Sequence, residues 1–424
     1  NSKKSCRVKS RLEISTRRLA ASRFFTNSGL KFVRGTIGVF LQASHFVASV
    51  PSLFCSKDPA TKPIGPVRMS VFESWSFSIN RQTEELTRLW LAVNLTLDEG
   101  FPSHVATLEM NSIMKWKLKA FIQNTVAYLP DETSYSMYYW IQRHFGGLRR
   151  VNPTRKLQDG INTWKRILQQ NQKPIGKVFF EVGTGRMPLV PMAFWLMGAG
   201  STITVDLNPY MKEQLVRESL QYMAKHREPI AKLFGSLLDT ARFDSLLALA
   251  QRPSCSLAEV LEHCKVKYIA PGDAAKTGLS ENQIDYHTSY TVFEHIPREI
   301  LQAILTEGNR LMRPGGLFVH RIDYSDHFSH SDKSISAINF LQFNEKLWDQ
   351  YAGNRYMYQN RLRHDDYLQL FESVGQRLLA TEPDRNSKLA ELVQSGALAL
   401  DDRFKSKPAD ILSITGSWII TEKG

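Results

Sequence analysis

Cysteine is scarce: Cys6, Cys55, Cys255 and Cys264 are the whole supply in 424 residues, and no two form a CxxC pair. That excludes a disulfide framework and a zinc-finger spacing, and it suits a reducing compartment, so a cytoplasmic location is expected. Long apolar runs are missing too. The uncharged stretch GTIGVFLQASHFVASVPSLFC at 35–55 is diluted by Gln42, His45, Pro51 and serines, below what a helix in hydrocarbon requires. No membrane span is expected. Acids are nearly absent from the first fifty residues, where Glu13 stands alone among lysines and arginines. A basic, acid-poor leader is what organellar transit segments look like, and such targeting stays open here. The competing reading is an extension ahead of a working protein that starts near Met110. No function is assigned to residues 1–109. Repeats and low-complexity tracts are lacking as well, which excludes a solenoid.

What is present is the composition of an ordinary folded domain, with 42% apolar and 22% charged residues. The net charge of +13 is unevenly spread: residues 1–109 hold 15 basic and 8 acidic side chains, residues 110–424 hold 39 and 33. About half the excess thus lies in the first quarter of the chain. The later part has no basic run interleaved with aromatics, so no nucleic-acid partner is expected. Oligomeric state is not readable from the sequence.

Beyond Met110 three helical patterns precede any strand. KWKLKAFIQNTVAYLP spaces its apolar residues at three and four and ends at Pro130. YSMYYWIQRHFGG is stopped by Gly146 and Gly147, and INTWKRILQQN leads onward. This 110–175 extension either packs over the next domain or roofs a substrate pocket with its aromatics. From residue 176 strands and helices alternate: KVFFEVG, STITVDLN, VKYIAPGD, IDYHTSY and GGLFVHRIDY read as strands, with helical stretches between them. That alternation predicts an α/β domain, a parallel sheet with helices on both faces. DILSITGSWIITEKG adds two β-rich runs around Gly416, suited to antiparallel closing strands.

The chemistry begins at Glu181-Val182-Gly183-Thr184-Gly185, which comes after an apolar strand and opens a helix bearing Pro188 and Pro191. Gly183 and Gly185 can take positive φ and admit a ligand close to the backbone. Proline is tolerated in the first helical turn, so the free amides of a helix N-terminus face the loop. A glycine loop alone fits nicotinamide, flavin or sulfonium cofactors. Here the sixth position of the dinucleotide pattern is Pro188 rather than glycine, which counts against a pyrophosphate ligand. Asp206 ends the next strand, where an acid can accept from both ribose hydroxyls. The competing reading is a helix cap before Pro209.

Taken in order, EVGTG, VDLN, PGDA, SYTVFEHIP and LMRPGGLFV resemble the motif set of class I S-adenosylmethionine (SAM) dependent methyltransferases over about residues 176–326. The resemblance implies a doubly wound, mostly parallel seven-stranded sheet, SAM as cofactor and a small-molecule acceptor, with O-methylation of a sugar or similar hydroxyl compound the leading candidate. It implies that Glu181, Gly183, Thr184 and Gly185 line the methionine moiety and that Asp206 holds the ribose. Asp273 and Ala274 would flank the adenine, and Ser289 would lie beneath the sulfonium. Residues 236–264, between Asp206 and Asp273, depart from the pattern and read as an inserted helical segment. Glu294-His295 would begin the helix after the fourth strand, usually in a packing or capping role.

Ligands of open α/β sheets bind beyond the carboxyl ends of the strands. GGLFVHRIDY delivers His320, Asp323, Asp326 and His327 to that edge, with His330 and Asp332 next along the chain. A carboxylate orients an imidazole and raises its basicity, so the expected catalytic residues are His327 first, then Asp323, Asp326 and His320. The run HRIDYSDHFSHSD also has residue types suited to a divalent ion, or to turns and caps; its spacing matches no sharp metal motif, so no metal ligand is assigned. Farther on, Asn360, Arg361, Arg363 and His364 could clamp an anion or merely start a solvated helix. Two other functions remain open: a nicotinamide-dependent oxidoreductase, and a SAM-binding module without turnover.

Overall fold

The computed structural model describes residues 115–252 and 254–424. The basic segment 1–109, its organellar reading and the uncharged stretch at 35–55 lie outside the described residues. Three helices come first: α1 (Lys115–Ala127), α2 (Asp131–His144) and α3 (Thr154–Gln169). Then come β1 (Val178–Val182), α4 (Leu189–Leu196), β2 (Ser201–Val205), α5 (Glu213–Lys225), α6 (Arg227–Phe234), α7 (Thr240–Ala250), α8 (Leu257–His263) and β3 (Val266–Ile269). The remainder runs β4 (Ile284–Tyr290), α9 (Arg298–Leu311), β5 (Met312–Asp323), α10 (Glu345–Ala352), α11 (His364–Ser373), β6 (Gln376–Arg385), α12 (Ser387–Gln394), α13 (Asp402–Lys405), α14 (Ala409–Leu412) and β7 (Ile414–Lys423).

The sheet order is β3-β2-β1-β4-β5-β7-β6. The first five strands are parallel; β7 pairs antiparallel with both β5 and β6. This is the doubly wound, mostly parallel seven-stranded sheet that was expected. Only one of the two runs around Gly416 behaves as anticipated. DILSITGSWIITEKG contributes a single strand, β7, which passes straight through Gly416. Its antiparallel partner β6 comes from QRLLATEPDR, a half-exposed edge strand whose apolar residues, Leu378 to Ala380, run consecutively and give no period-two signal.

Local chemistry explains the helices that frame the site. Pro130 precedes α2, Asp131 and Glu132 fill its first turn, and Arg143 and His144 its last, each charge opposing the end of the helix dipole beside it. Helix α3 buries Leu157, Ile161, Trp164 and Ile167 on one face. Gly160 on that face lets α3 and α4 approach closely, since a Cβ there would lie 2.7 Å from the Ala193 Cβ. Helix α4, LVPMAFWL, is buried all round, as a helix sealed between α3 and the sheet must be. The inserted segment is helical as read, with α7 capped by Asp239 and α8 by a Ser256–Glu259 capping box. Strand order reverses between β1 and β4. The chain leaves those two strands in opposite directions, which opens a cleft at their carboxyl ends.

Candidate functional site

The glycine loop leaves β1 with Gly183 at φ +81° and Gly185 at φ +76°, the left-handed region that a side chain strains. A Cβ on Gly183 would also sit 2.7 Å from the Val292 side chain. Glu181 is buried beneath the loop, where it accepts from the hydroxyls of Thr184 and Thr204. Burial pushes its carboxyl up to about 7; the nearby Asp206 charge adds to this, and the two hydroxyls oppose it. Asp206 closes β2 at 5% exposure and accepts from the Gly185 amide at 3.0 Å. Burial pushes it up to about 6, against the Gly185 amide and Tyr268. It does not cap a helix, because α5 begins only at Glu213 with Lys212 at its N-cap. Asp273 is exposed and accepts from the Ala275 amide at 2.8 Å, while the Ala274 side chain faces the core. Ser289 is buried, its hydroxyl in a 2.8 Å hydrogen bond with His320 Nδ1.

Helix α2 lays its tyrosines against this loop. Tyr135 receives a hydrogen bond from Asn208 at 3.1 Å and meets Tyr210 edge to face, and Tyr138 stacks on Tyr356. Arg186, one residue past the loop glycine, lies over the Tyr139 ring at 5.0 Å, with Lys212 at 5.5 Å. The aromatics of α2 therefore cover the glycine-loop side of the cleft. Helices α1 and α3 pack over the core through Trp116 and Trp164 respectively, and α3 also lays Lys156 over the Tyr290 ring at 5.6 Å where β4 ends.

The other side of the cleft is built by the ends of β4 and β5. Asp323 closes β5 and accepts from the Ser325 amide at 2.8 Å and its hydroxyl at 2.5 Å. His327 Nε2 stands 3.5 Å from its Oδ2, and His330 Nε2 stands 3.7 Å from the same atom. Burial works against the Asp323 carboxylate, but His327 and Ser325 outweigh it and hold it down at about 2. Beside them a single 3-10 turn, Phe293–His295, comes after β4. Glu294-His295 thus sits on a tight turn ahead of Pro297 rather than on the helix expected there; α9 begins at Arg298. His295 Nδ1 lies 2.7 Å from the Tyr358 carbonyl, and its ring meets His327 at 4.8 Å between centroids.

Two expected catalytic residues do not reach this edge. His320 is fully buried on the opposite face of β5, stacked on Phe293 and bonded to Ser289, and burial pushes its imidazole well below the usual range. The strand period of two explains this: His320 and Asp323 are three apart and face opposite ways. Asp326 is also fully buried, accepting from the Phe328 amide at 2.8 Å and Asn339 Nδ2 at 3.2 Å, so it ties a turn together. The proposed anion clamp fails for a similar reason. Arg363 is buried and donates to the carbonyls of Tyr324, Leu412 and Ile414, while Arg361 donates to Phe340 and Phe343 and pairs with Glu345 at 2.9 Å. Asn360 donates to the Phe293 and Ile296 carbonyls, and His364 lies 3.2 Å from the Tyr324 hydroxyl.

Residues 252–320 match the family model for a methyltransferase domain. The match runs from just before α8 through β3 and β4 into β5, on the sheet that carries the glycine loop and Asp206. The chain carries a methyltransferase domain, consistent with the class I SAM-dependent resemblance of its motifs. SAM is its methyl donor. Solved structures similar to it include a protein from Pyrococcus horikoshii OT3, with 14% identity, TM-score 0.34, and coverage of 62% of this chain and 89% of the other. An S-adenosylmethionine dependent methyltransferase from Mesorhizobium loti has 11% identity, TM-score 0.31 and coverage of 62% and 99%. A geranyl diphosphate methyltransferase solved with GPP and sinefungin has 11% identity, TM-score 0.34 and coverage of 62% and 78%. No curated protein matches the chain.

The methyltransferase site fits a nucleoside sulfonium on its own chemistry. Asp206 offers a carboxylate to hydroxyls, the loop glycines carry no Cβ, and the first turn of α4 has amides without helical partners. Sequence reading missed Arg186, Asn208, Tyr139 and Tyr268 around the glycine loop and Asp206, since single polar residues after a strand have no distinctive spacing. Glu294 and His295 were readable only as a cap. The signal that finds them is topological: β4 and β5 are parallel neighbours, so the loops leaving their carboxyl ends meet at one edge. Among the described residues, no helix is long and apolar enough to cross a membrane.

Proposed function

We propose that this methyltransferase transfers the methyl group to a hydroxyl of a small molecule, a sugar or similar polyol, held at the Asp323–His327–His330 edge. One observation carries the reading: an acid and its imidazoles converge where β4 and β5 end, beside the β1 loop that serves the donor. SAM supplies a methyl carbon already activated by a sulfonium leaving group, so the protein's tasks are alignment and removal of the acceptor proton. Asp206 would hold the ribose hydroxyls, Gly183 and Gly185 would admit the methionine moiety, Glu181 would support the loop through Thr184, and Asp273 would reach the adenine. Ser289, engaged with His320, would shape the cleft floor rather than touch the acceptor. The α2 tyrosines would exclude water from the donor side.

A hydroxyl acceptor is favoured because weakly acidic oxygen needs proton removal, which an imidazole–carboxylate edge provides. We also place the domain in a reducing compartment, as Cys255 and Cys264 are free and buried. The test is a screen of labelled SAM against a panel of sugars, polyols, amines and carboxylates. Transfer to a hydroxyl compound is expected. Exclusive transfer to nitrogen or carboxylate would overturn the acceptor class, and SAM binding without transfer to any compound would mark a binding module.

A further inference from the structure

The acceptor edge contains more ligand atoms than a simple base requires. One atom each from Glu294, His295 and His327 lies within 4.8 Å of the others, and the same holds for Asp323, His327 and His330. Glu294 is 3% exposed, and among the described residues no side chain hydrogen-bonds its carboxylate, which faces only the backbone amides of Glu294 and Asp323. A buried carboxylate with no counter-charge beside it is unfavourable unless a proton or a cation joins it. The imidazoles are prepared in the matching sense. His295 Nδ1 must donate to the Tyr358 carbonyl at 2.7 Å, because a carbonyl only accepts, so Nε2 is left with its lone pair. Locking one ring nitrogen on a backbone carbonyl is how proteins orient metal-ligating histidines. His327 Nε2 is likewise buried, with the Asp323 carboxylate facing it at 3.5 Å.

We infer that Glu294, His295 and His327 form a site for one divalent first-row transition ion, with Asp323 flanking it and His330 at its solvent side. Two imidazoles and one carboxylate favour Zn²⁺, Co²⁺, Fe²⁺ or Mn²⁺ over Mg²⁺, which prefers oxygen and water. Three protein ligands leave positions open for an acceptor oxygen, the arrangement of reactive rather than structural sites. The role assigned to the ion rests on the hydroxyl-acceptor reading above; the existence of the site does not. A hydroxyl bound to such an ion is acidified, as water is. Its proton passes to His330, whose side chain is 53% exposed. An oxygen lone pair then forms the bond to the methyl carbon while the carbon–sulfur bond breaks, its electron pair staying on sulfur as a neutral thioether. No oxidant or reductant is consumed.

The test is titration of the metal-stripped full chain with Co²⁺ and Zn²⁺, by calorimetry and by visible absorption of the Co²⁺ form. One equivalent per chain is expected, with Zn²⁺ displacing the Co²⁺ spectrum. Glu294→Gln, His295→Asn and His327→Ala should each weaken binding at least about tenfold, with circular dichroism reporting which variants keep the fold. A wild-type chain that binds neither ion at about tenfold molar excess overturns the site, as does binding unmoved in every folded variant. If all three variants unfold, the Co²⁺ spectrum of the wild type decides: imidazole-ligated bands support the site, and an aquo-ion spectrum overturns it. Metal binding together with methylation only at nitrogen would leave the site standing and defeat the hydroxyl reading. Hydroxyl methylation indifferent to chelator, without metal binding, would do the reverse.

Discussion

Asp206 accepts from the Gly185 amide, so removing its carboxylate strips the loop of a support and, on the proposed reading, the ribose of its acceptor. Asp206→Ala is expected to weaken SAM by about 1.5–3 kcal/mol, the range for a hydrogen bond to a charged group. Titration calorimetry reads this directly; unchanged affinity with a lower melting temperature would restrict the residue to a loop support. On the acceptor side, His327→Ala and Asp323→Asn should leave SAM affinity nearly unchanged and lower turnover by about 10²–10⁴-fold, the range for losing assisted removal of the acceptor proton. Steady-state kinetics beside SAM titration tests it, and equal losses in both would move the pair to the donor side. Gly183, Gly185 and Asp206 were legible because their chemistry is local, a turn and a strand end. His320 and Asp326 were misassigned because their neighbours decide their direction. A strand's period of two sends His320 to the face packed by Phe293 and Phe371, and Asn339 draws Asp326 inward.

Elements that read as polar loops turn out to be held by buried cations. The segment between β5 and α11 is pinned by Arg363, whose guanidinium reaches one carbonyl after β5, one at the end of α14 and one at the start of β7. Desolvation pushes this group down to about 10, yet it has no carboxylate hydrogen bond at those atoms; carbonyl dipoles carry it. Arg363→Met should therefore lower stability by roughly 3 kcal/mol or more, since three buried carbonyls lose their donor at once. Urea denaturation measures this, and a change below about 1 kcal/mol would mean that water replaces the guanidinium. Such an arginine looks catalytic in a sequence because RLRHDDY clusters charges. Only the fold shows that the charge turns inward. The edge strand β6 escaped notice for the converse reason: half its residues are solvated, and its few apolar ones, Leu378 to Ala380, run consecutively instead of alternating.

Across the whole molecule, buried titratable groups tilt stability in opposite directions with pH. Burial holds Glu181 at about 7 against an ordinary 4.5, so the folded state keeps that proton longer. Between those values the folded state binds more protons than the unfolded one, and stability falls as pH rises. His287, held down at about 3 by burial, acts oppositely: stability is lost as pH falls below about 6.5. Glu181→Gln removes only the first slope. The stability of wild type relative to this variant should therefore fall through the window from 4.5 to 7 and then level off. The slope is at most about 1.4 kcal/mol per pH unit. Urea melts at about pH 5, 6, 7 and 8 read it, and a level difference throughout would show that Glu181 titrates normally in the fold.

The order of strands and helices, the glycine loop and the acid ending the second strand were determined by the sequence alone. Each rests on interactions within a few residues: apolar period, the φ that only glycine takes freely, a proline tolerated in a first turn. The meeting of Glu294 and His295 with His327, the burial of Arg361 and Arg363, and the pairing of β6 with β7 were decided only by tertiary structure. These join segments far apart in the chain, and nothing local records which strand ends become neighbours. Parallel pairing of β4 with β5 places two loops side by side, and the cost of burying charge then decides which side chains turn inward and which remain at the cleft.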